Sequence, residues 1–262
     1  MGLSETQRDE VAELLRVAEE TRVAVPPIIQ THPDIDVVDA YEIQLRNIRR
    51  RVVAGRRIVG HKVGLSSLAM QEMMGVSESD YGHLLDDMVL SEDTPVDASR
   101  YLLPRVEVEV GFVLGDDLPG EDCTVDDVLR ATEYVTPAIE LIDSRIADWK
   151  IGIFDTIADN ASSAGLVLGR ERRKPDELDL TAIDATLTRN GEQVATGRSD
   201  AVLGNPAIAV AWLAQKVASF GVRLEAGHVV LPGSCTRAYD VKAGDSVVAA
   251  FDGLGTVSVS FV

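Results

Sequence analysis

The spacing of apolar residues changes from helical to strand-like near Gly55. Before it, apolar residues recur every three or four positions, which predicts a first helix after a capping box at Ser4 and Gln7. A second helix is predicted from Asp36 to Gly55, and a proline-rich, extended connection joins the two. Residues 1–55 are therefore predicted to form a small N-terminal helical subdomain.

Residues 56–262 are predicted to form a second, β-rich domain. Alternating apolar residues predict strands at 57–64, 105–114, 138–142 and 228–231, and hairpins at 183–196 and 246–261. The hairpins turn at Asn190-Gly191 and near Asp252-Gly253. Helices are predicted at 67–74, 124–134 and 205–220. The expected fold class is α+β, with a large mixed or antiparallel sheet system in one compact body.

Composition is that of an ordinary globular protein, with 45% hydrophobic and 26% charged residues. The net charge of −18 argues against nucleic acid and anionic membranes as partners, because phosphate binding needs a basic surface. Since no apolar run reaches 18 residues and the N-terminus is acidic, neither a membrane-spanning helix nor a secretion signal is expected. Cys123 and Cys235 are isolated in the sequence, which fits a reduced, cytoplasmic compartment.

The strand at 105–114 carries the most informative polar residues. Val106 and Val108 point to one face of it, and Glu107 and Glu109 point to the other. Two carboxylates on one packed face repel each other and are costly to bury without a partner. A divalent cation such as Mg²⁺ or Mn²⁺ removes both penalties. The alternative is a strand face that lies in water.

Lys62 and Asp80 also lie in unusual places. Lys62 is inside an apolar, glycine-flanked strand, so it either has an anionic partner or extends its stem along the surface to water. Asp80 is in a turn-like segment, where it is either a general base or the hydrogen-bonding residue of an Asx turn.

Glu140 is embedded in an apolar strand, as a third metal ligand or as the ion-pair partner of Arg105 or Arg145. Residues 155–165 are dense in small hydrogen-bonding side chains. That density fits either the wall of a polar pocket or a helix cap followed by a turn.

Taken together, these segments resemble the 2-keto-4-pentenoate hydratase family, which shares its fold with fumarylacetoacetate hydrolases and 4-oxalocrotonate decarboxylases. The resemblance runs from Ile35 to the terminal hairpin. Three ordered motifs carry most of it: Gly60-His61-Lys62-Val63-Gly64-Leu65-Ser66-Ser67, Met73-Met74-Gly75-Val76 and Asp80-Tyr81-Gly82-His83-Leu84-Leu85. They look most like actinobacterial 2-hydroxypenta-2,4-dienoate hydratases of steroid catabolism. The resemblance implies a fumarylacetoacetate hydrolase-like mixed β-sheet roll.

The resemblance also implies the site. It makes Glu107, Glu109 and Glu140 the ligands of Mg²⁺ or Mn²⁺, and it places acid–base or substrate-binding roles on Lys62, Asp80, Ser162, Leu65 and Ser66. Ser79 departs from the pattern, since many relatives have proline there. Relatives that act as decarboxylases tend to lack the Asp-aromatic-Gly arrangement that begins at Asp80.

The activity implied is addition of water to 2-hydroxypenta-2,4-dienoate or 2-hydroxyhexa-2,4-dienoate, giving a 4-hydroxy-2-oxoalkanoate in a meta-cleavage pathway of aromatic or steroid catabolism. The alternatives are a decarboxylase of 2-oxo-3-enedioates and a non-catalytic partner subunit of a decarboxylase or aldolase complex. A homo-oligomer is expected, with association with a downstream aldolase as a further expectation.

Overall fold

Three helices precede the first strand in the computed structural model, which describes residues 2–67, 71–72 and 75–262: α1 (Glu5–Thr21), α2 (Ile28–Thr31) and α3 (Val37–Val53). Ser4 and Asp36 begin α1 and α3 with capping boxes, which satisfy backbone N–H groups that have no partner within the helix. The extended connection predicted between the long helices is interrupted by one helical turn, α2, whose Ile28 side chain is buried. The subdomain boundary at residue 55 stays a prediction.

Eleven strands follow in the described part of the chain: β1 (Ile58–Gly64), β2 (Asp80–Leu85), β3 (Arg105–Leu114), β4 (Thr132–Ile142), β5 (Ser163–Leu168), β6 (Asp184–Arg189), β7 (Glu192–Arg198), β8 (Val229–Leu231), β9 (Tyr239–Asp240), β10 (Ser246–Phe251) and β11 (Gly255–Ser260). One sheet has the order β2-β1-β8-β3-β4-β5, with β9 paired to β3. Among the strand pairs described in it, the β1–β8 pair alone is parallel, so the sheet is mixed.

The second sheet has the order β11-β10-β6-β7 and contains both predicted hairpins. Asn190 and Gly191 have φ angles of 53° and 83°, as a two-residue hairpin turn requires. The C-terminal hairpin turns between β10 and β11, at the predicted Asp252-Gly253. Both hairpin predictions are confirmed.

Three more α-helices are described beyond β2, namely α4 (Val125–Ala131), α5 (Ile153–Ala158) and α6 (Pro206–Ala218). The prediction that a helix reaches Tyr134 is wrong, as β4 begins at Thr132. The β-favouring residues that follow α4 pair with β3, and this pairing outweighs continuation of the helix. The helix predicted at 67–74 falls largely outside the described residues.

Packing joins the helices to both sheets through a shared hydrophobic core. Cys123 and Cys235 lie buried in it as free thiols. The described residues contain one helical stretch, Ser199–Ala218, that is long and apolar enough by composition to cross a membrane; half of it is buried in the structure, as in a core helix. The predicted α+β class, with its N-terminal helical region, is confirmed.

Candidate metal and acid–base site

Strand register brings three carboxylates together. Glu107 on β3 lies directly opposite Glu140 on β4, and Glu109 follows two residues later on the same face of β3. One ligand oxygen from each of the three lies within 4.8 Å of the other two. Glu109 and Glu140 are fully buried, and Glu107 is partly exposed. The alternative of a strand face in water does not describe this arrangement.

The arginines that could have neutralised Glu140 are paired elsewhere. Arg105 Nε donates to Asp240 Oδ1 at 2.7 Å. Arg145 forms a buried ion pair with Asp159. Among the described residues, neither arginine therefore forms an ion pair with the carboxylate cluster, defined as Glu107, Glu109 and Glu140; Arg105 acts on Glu107 only through a weaker attraction.

Burial is the main influence on the cluster. It raises the pKa of Glu107 and Glu109, and repulsion from the neighbouring carboxylates adds to the rise at Glu109. Burial likewise raises the pKa of Glu140, to about 7. Glu109 Oε2 accepts a hydrogen bond of 2.7 Å from Gly233 N–H, whereas Glu109 Oε1 is buried with no hydrogen-bond donor among the described residues. Hard oxygen donors with unsatisfied lone pairs fit Mg²⁺ or Mn²⁺.

Lys62 faces the cluster from β1. Its side chain is only 4% exposed; Nζ lies 3.4 Å from Glu140 Oε2 and donates to Ala161 O at 3.0 Å. The alternative in which the amine reaches water is therefore not observed. Burial alone would lower the pKa of Lys62, but attraction by the surrounding carboxylates, Glu140 foremost, together outweighs burial and raises it. Lys62 is consequently an ammonium ion next to the cluster.

Asp80 lies on the same sheet face as Lys62. The prediction that it belongs to a turn is wrong: it is the first residue of β2, directly opposite Gly64 on β1. A Cβ at Gly64 would come within 2.1 Å of Asp80 Oδ1, so glycine is needed there. Asp80 Oδ2 accepts a hydrogen bond of 3.0 Å from Thr156 Oγ1, while Oδ1 is buried without a partner in the described structure. Burial raises the pKa of Asp80.

The other predicted site residues lie beside these groups. Ser162 directly follows Ala161, which binds Lys62, and its buried Oγ has no hydrogen-bond partner among the described residues. Ser66 packs against Gly233, the residue that donates to Glu109. Leu65 immediately follows β1 in the left-handed conformation, with φ of 51°. Their roles in binding substrate stay predictions.

Three residues of this site were missed by sequence reasoning: Thr156, Asn160 and Gly233. Thr156 and Asn160 belong to the polar segment at 155–165 but have no individual signature. Gly233 contributes only its backbone N–H, which no residue pattern reveals. Cavity size is no guide either, since a cavity of about 990 Å³ lies near the other end of β4, around Tyr134 and Arg172.

The sequence is similar to those of known proteins along nearly its whole length. Residues 82–262 match the model of the fumarylacetoacetate (FAA) hydrolase C-terminal family. The chain is 43% identical to 2-oxo-hept-4-ene-1,7-dioate hydratase of Escherichia coli, covering 96% of this chain and 97% of that protein. It is 44% identical to 2-keto-4-pentenoate hydratase of Paraburkholderia xenovorans (97% and 95%). It is 41% identical to 2-hydroxyhexa-2,4-dienoate hydratase of Comamonas testosteroni (98% and 97%).

A solved structure has the same overall fold. The 4-oxalocrotonate decarboxylase of Pseudomonas putida G7, complexed with magnesium and adipate, superposes with a TM-score of 0.96 at 35% identity. The match covers 99% of each chain. The relatives thus include hydratases of mono- and dicarboxylates and a decarboxylase.

Proposed function

The chain belongs to the fumarylacetoacetate hydrolase family, with 2-keto-4-pentenoate hydratases among its near-full-length relatives, and we propose that it is a divalent-metal-dependent hydratase of 2-hydroxy-2,4-dienoates. The observation that carries the proposal is the buried carboxylate cluster, with Lys62 beside it and Asp80 on the same sheet face as Lys62. This arrangement supplies a cation site, a fixed positive charge and an acid–base group on strands of one sheet. The substrate is 2-hydroxypenta-2,4-dienoate or its six-carbon homologue, 2-hydroxyhexa-2,4-dienoate.

The carboxylate cluster would hold the metal, Mg²⁺ or Mn²⁺. A solved relative carries magnesium, and the three glutamates here offer the oxygen donors that such a cation prefers. When bound, the cation would supply Lewis-acid polarisation of the substrate's carboxylate and 2-oxygen.

The reaction needs two changes in the substrate. The dienol first becomes a 2-oxo-3-enoate, as one proton leaves the 2-hydroxyl group and one arrives at C5. Water then adds across the remaining double bond, with its hydroxyl on C4 and a proton on C3, which gives the 4-hydroxy-2-oxoalkanoate. No oxidant or reductant is required at either step.

Lys62 and Asp80 have different roles in this reaction, because their surroundings differ. Lys62 remains an ammonium ion, so it stabilises negative charge on the substrate's oxygens. Asp80 keeps one oxygen on Thr156 and leaves the other free, which suits a group that takes up and returns a proton. Ser162, Leu65 and Ser66 would line the substrate's path.

A decarboxylase of 2-oxo-3-enedioates is the second candidate, because the superposed decarboxylase is 35% identical to this chain. Such a diacid has a distal carboxylate that needs a cation. The connection between β1 and β2, residues 65–79, contains no lysine, arginine or histidine. Arg145 is already bound to Asp159. These observations favour a monocarboxylate substrate, as the proposed hydratase uses, over an enedioate. A non-catalytic partner subunit is the third candidate, and the presence of the complete carboxylate cluster argues against it.

One assay separates the three. The ultraviolet absorbance of an enzymatically generated dienol is followed with and without Mg²⁺, on five- and six-carbon substrates, and released CO₂ is measured. A hydratase consumes the monocarboxylate only with metal and releases no CO₂. CO₂ release from an enedioate, with no use of the monocarboxylate, would identify a decarboxylase. No reaction on either would leave the scaffold role.

We also propose a cytoplasmic homo-oligomer that associates with the aldolase consuming its product. The product is a β-hydroxy ketone, which an aldolase can cleave, and physical association would shorten its path. Light scattering tests assembly: a 28.2 kDa particle at micromolar concentration would contradict the homo-oligomer.

A further inference from the structure

Three consecutive residues beside the active-site lysine have left-handed backbone conformations. The φ angles of Asn160, Ala161 and Ser162 are 53°, 51° and 56°. Asparagine tolerates this region, whereas for other L-residues it is sterically unfavourable. Such strain persists only where the surroundings enforce it, and it is concentrated at functional sites. We call residues 160–162 the left-handed turn.

The side chain of Asn160 fastens this turn to β2. Its Oδ1 accepts from His83 N–H at 2.8 Å, and its Nδ2 donates to His83 O at 2.9 Å. Since β2 is an edge strand of its sheet, the amide group forms hydrogen bonds with its free backbone groups as a neighbouring strand would. The approach is so close that a Cβ at Gly82 would lie 2.3 Å from Asn160 O.

The far end of the turn is also held by the backbone. Ser162 N–H donates to Asp159 O at 2.9 Å, and Asp143 N–H donates to Ser162 O at 2.8 Å. Between these fixed ends, Ala161 directs its carbonyl at Lys62 and accepts from Nζ at 3.0 Å. A lysine amine has three hydrogen-bond donors on a flexible side chain, so an ion pair alone would allow Nζ to occupy several positions. The carbonyl of Ala161 and the carboxylate of Glu140 together hold Nζ in one of these positions.

We propose that Asn160 is a positioning residue: by clamping the left-handed turn to the backbone of His83, it aims Lys62 Nζ at the carboxylate cluster. This inference rests on the proposed function, because it assigns Asn160 an effect on turnover through Lys62. Asn160 itself touches neither the cluster nor Lys62 through any described hydrogen bond or ion pair of its side chain. Its effect therefore passes through the carbonyl of Ala161.

Asn160→Gly tests the clamp, since glycine keeps the left-handed conformation and loses the side chain. A matched control is Asn190→Gly in the β6–β7 turn. Asn190 also has a φ of 53° and also makes two side-chain hydrogen bonds, to Asp245 and Ser246, in the other sheet. Asn160→Gly is expected to lower kcat about 10- to 100-fold, because small displacements of a catalytic group are that costly. KM and the Mg²⁺ dissociation constant should stay within about twofold, and Asn190→Gly should change none of these.

Two further measurements separate positioning from general loss of structure. In a Lys62→Met background, Asn160→Gly should cause no additional loss of kcat, since both changes remove the same aimed charge. Asn160→Asp keeps the acceptor for His83 N–H but loses the donor to its carbonyl, so its kcat should lie between the parent and Asn160→Gly. A crystal structure of Asn160→Gly should show Lys62 Nζ moved away from Ala161 O.

The inference is overturned if Asn160→Gly keeps the parental kcat, weakens Mg²⁺ binding as much as turnover, or lowers kcat equally in the Lys62→Met background. An unmoved Lys62 Nζ in the Asn160→Gly crystal structure would also overturn it. Failure of the proposed function looks different, because then the parent protein consumes no dienol with Mg²⁺. The crystal structure still decides whether Asn160 positions Lys62 in that case.

Discussion

Replacing Lys62 with methionine isolates the role of its charge. Methionine keeps much of the buried aliphatic stem and removes the ammonium group. In the structure the ammonium nitrogen lies 3.4 Å from Glu140 Oε2 and 3.0 Å from Ala161 O, and the side chain of Lys62 is 4% exposed. The substitution therefore deletes a desolvated cation from the pocket without opening a large cavity.

The expected loss follows from what such a cation does in a water-poor site. A single preorganised donor aimed at developing negative charge contributes about 2.7–4 kcal/mol to the transition state, or roughly 10²–10³ in kcat. The fold should survive, because the pKa of Glu140 is already raised to about 7 and its carboxyl can take up a proton when Lys62 is absent. Bound Mg²⁺ would neutralise Glu140 in the loaded protein.

The measurement is kcat and KM for hydration of 2-hydroxypenta-2,4-dienoate at saturating Mg²⁺, with the melting temperature recorded for the same samples. Lys174→Met is the matched control, since Lys174 is an exposed lysine that borders the remote cavity around Tyr134. We expect a loss of at least 100-fold in kcat for Lys62→Met and none for Lys174→Met. Parental turnover by a folded, metal-saturated Lys62→Met protein would refute the argument.

Three further outcomes are expected. Glu109→Gln should abolish the rise in melting temperature that Mg²⁺ causes. Without metal, this variant should melt about 2–4 °C above the parent for each kcal/mol of carboxylate repulsion that it removes. The exposed control Glu133→Gln should show neither change. Thr156→Val should lower kcat about 10- to 100-fold by releasing Asp80 Oδ2, and Thr156→Ser should restore it, with Mg²⁺ affinity unchanged in calorimetry. Because burial raises the pKa of Glu140 to about 7 in the folded state, the metal-free protein binds extra protons on folding. Its melting temperature should therefore fall as pH rises from about 5 to 7.5. A melting temperature that stays constant or rises over this range would contradict the prediction.

Sequence reasoning reached the parts of this site that depend on local pattern. Alternation alone placed Glu107 and Glu109 on one face of a strand, and an acid between apolar neighbours identified Glu140. The residue opposite Glu107 could not be read, because register depends on how β3 and β4 meet. Asp80 was assigned to a turn from its neighbours' composition, and pairing with β1 outweighed that local preference.

The contacts that hold Lys62 in place could not be predicted from the sequence. Its hydrogen-bond acceptor is the backbone carbonyl of Ala161, and every residue type has such a carbonyl. That carbonyl points at Lys62 because Ala161 and Ser162 adopt a conformation that their side chains disfavour. Residue preferences therefore argue against the very geometry that the site uses. Only tertiary contacts, above all the pairing of Asn160 with His83, can enforce it. The proposed catalytic groups could be named from the sequence, but the residues proposed to position them could not, because their contacts depend on the fold.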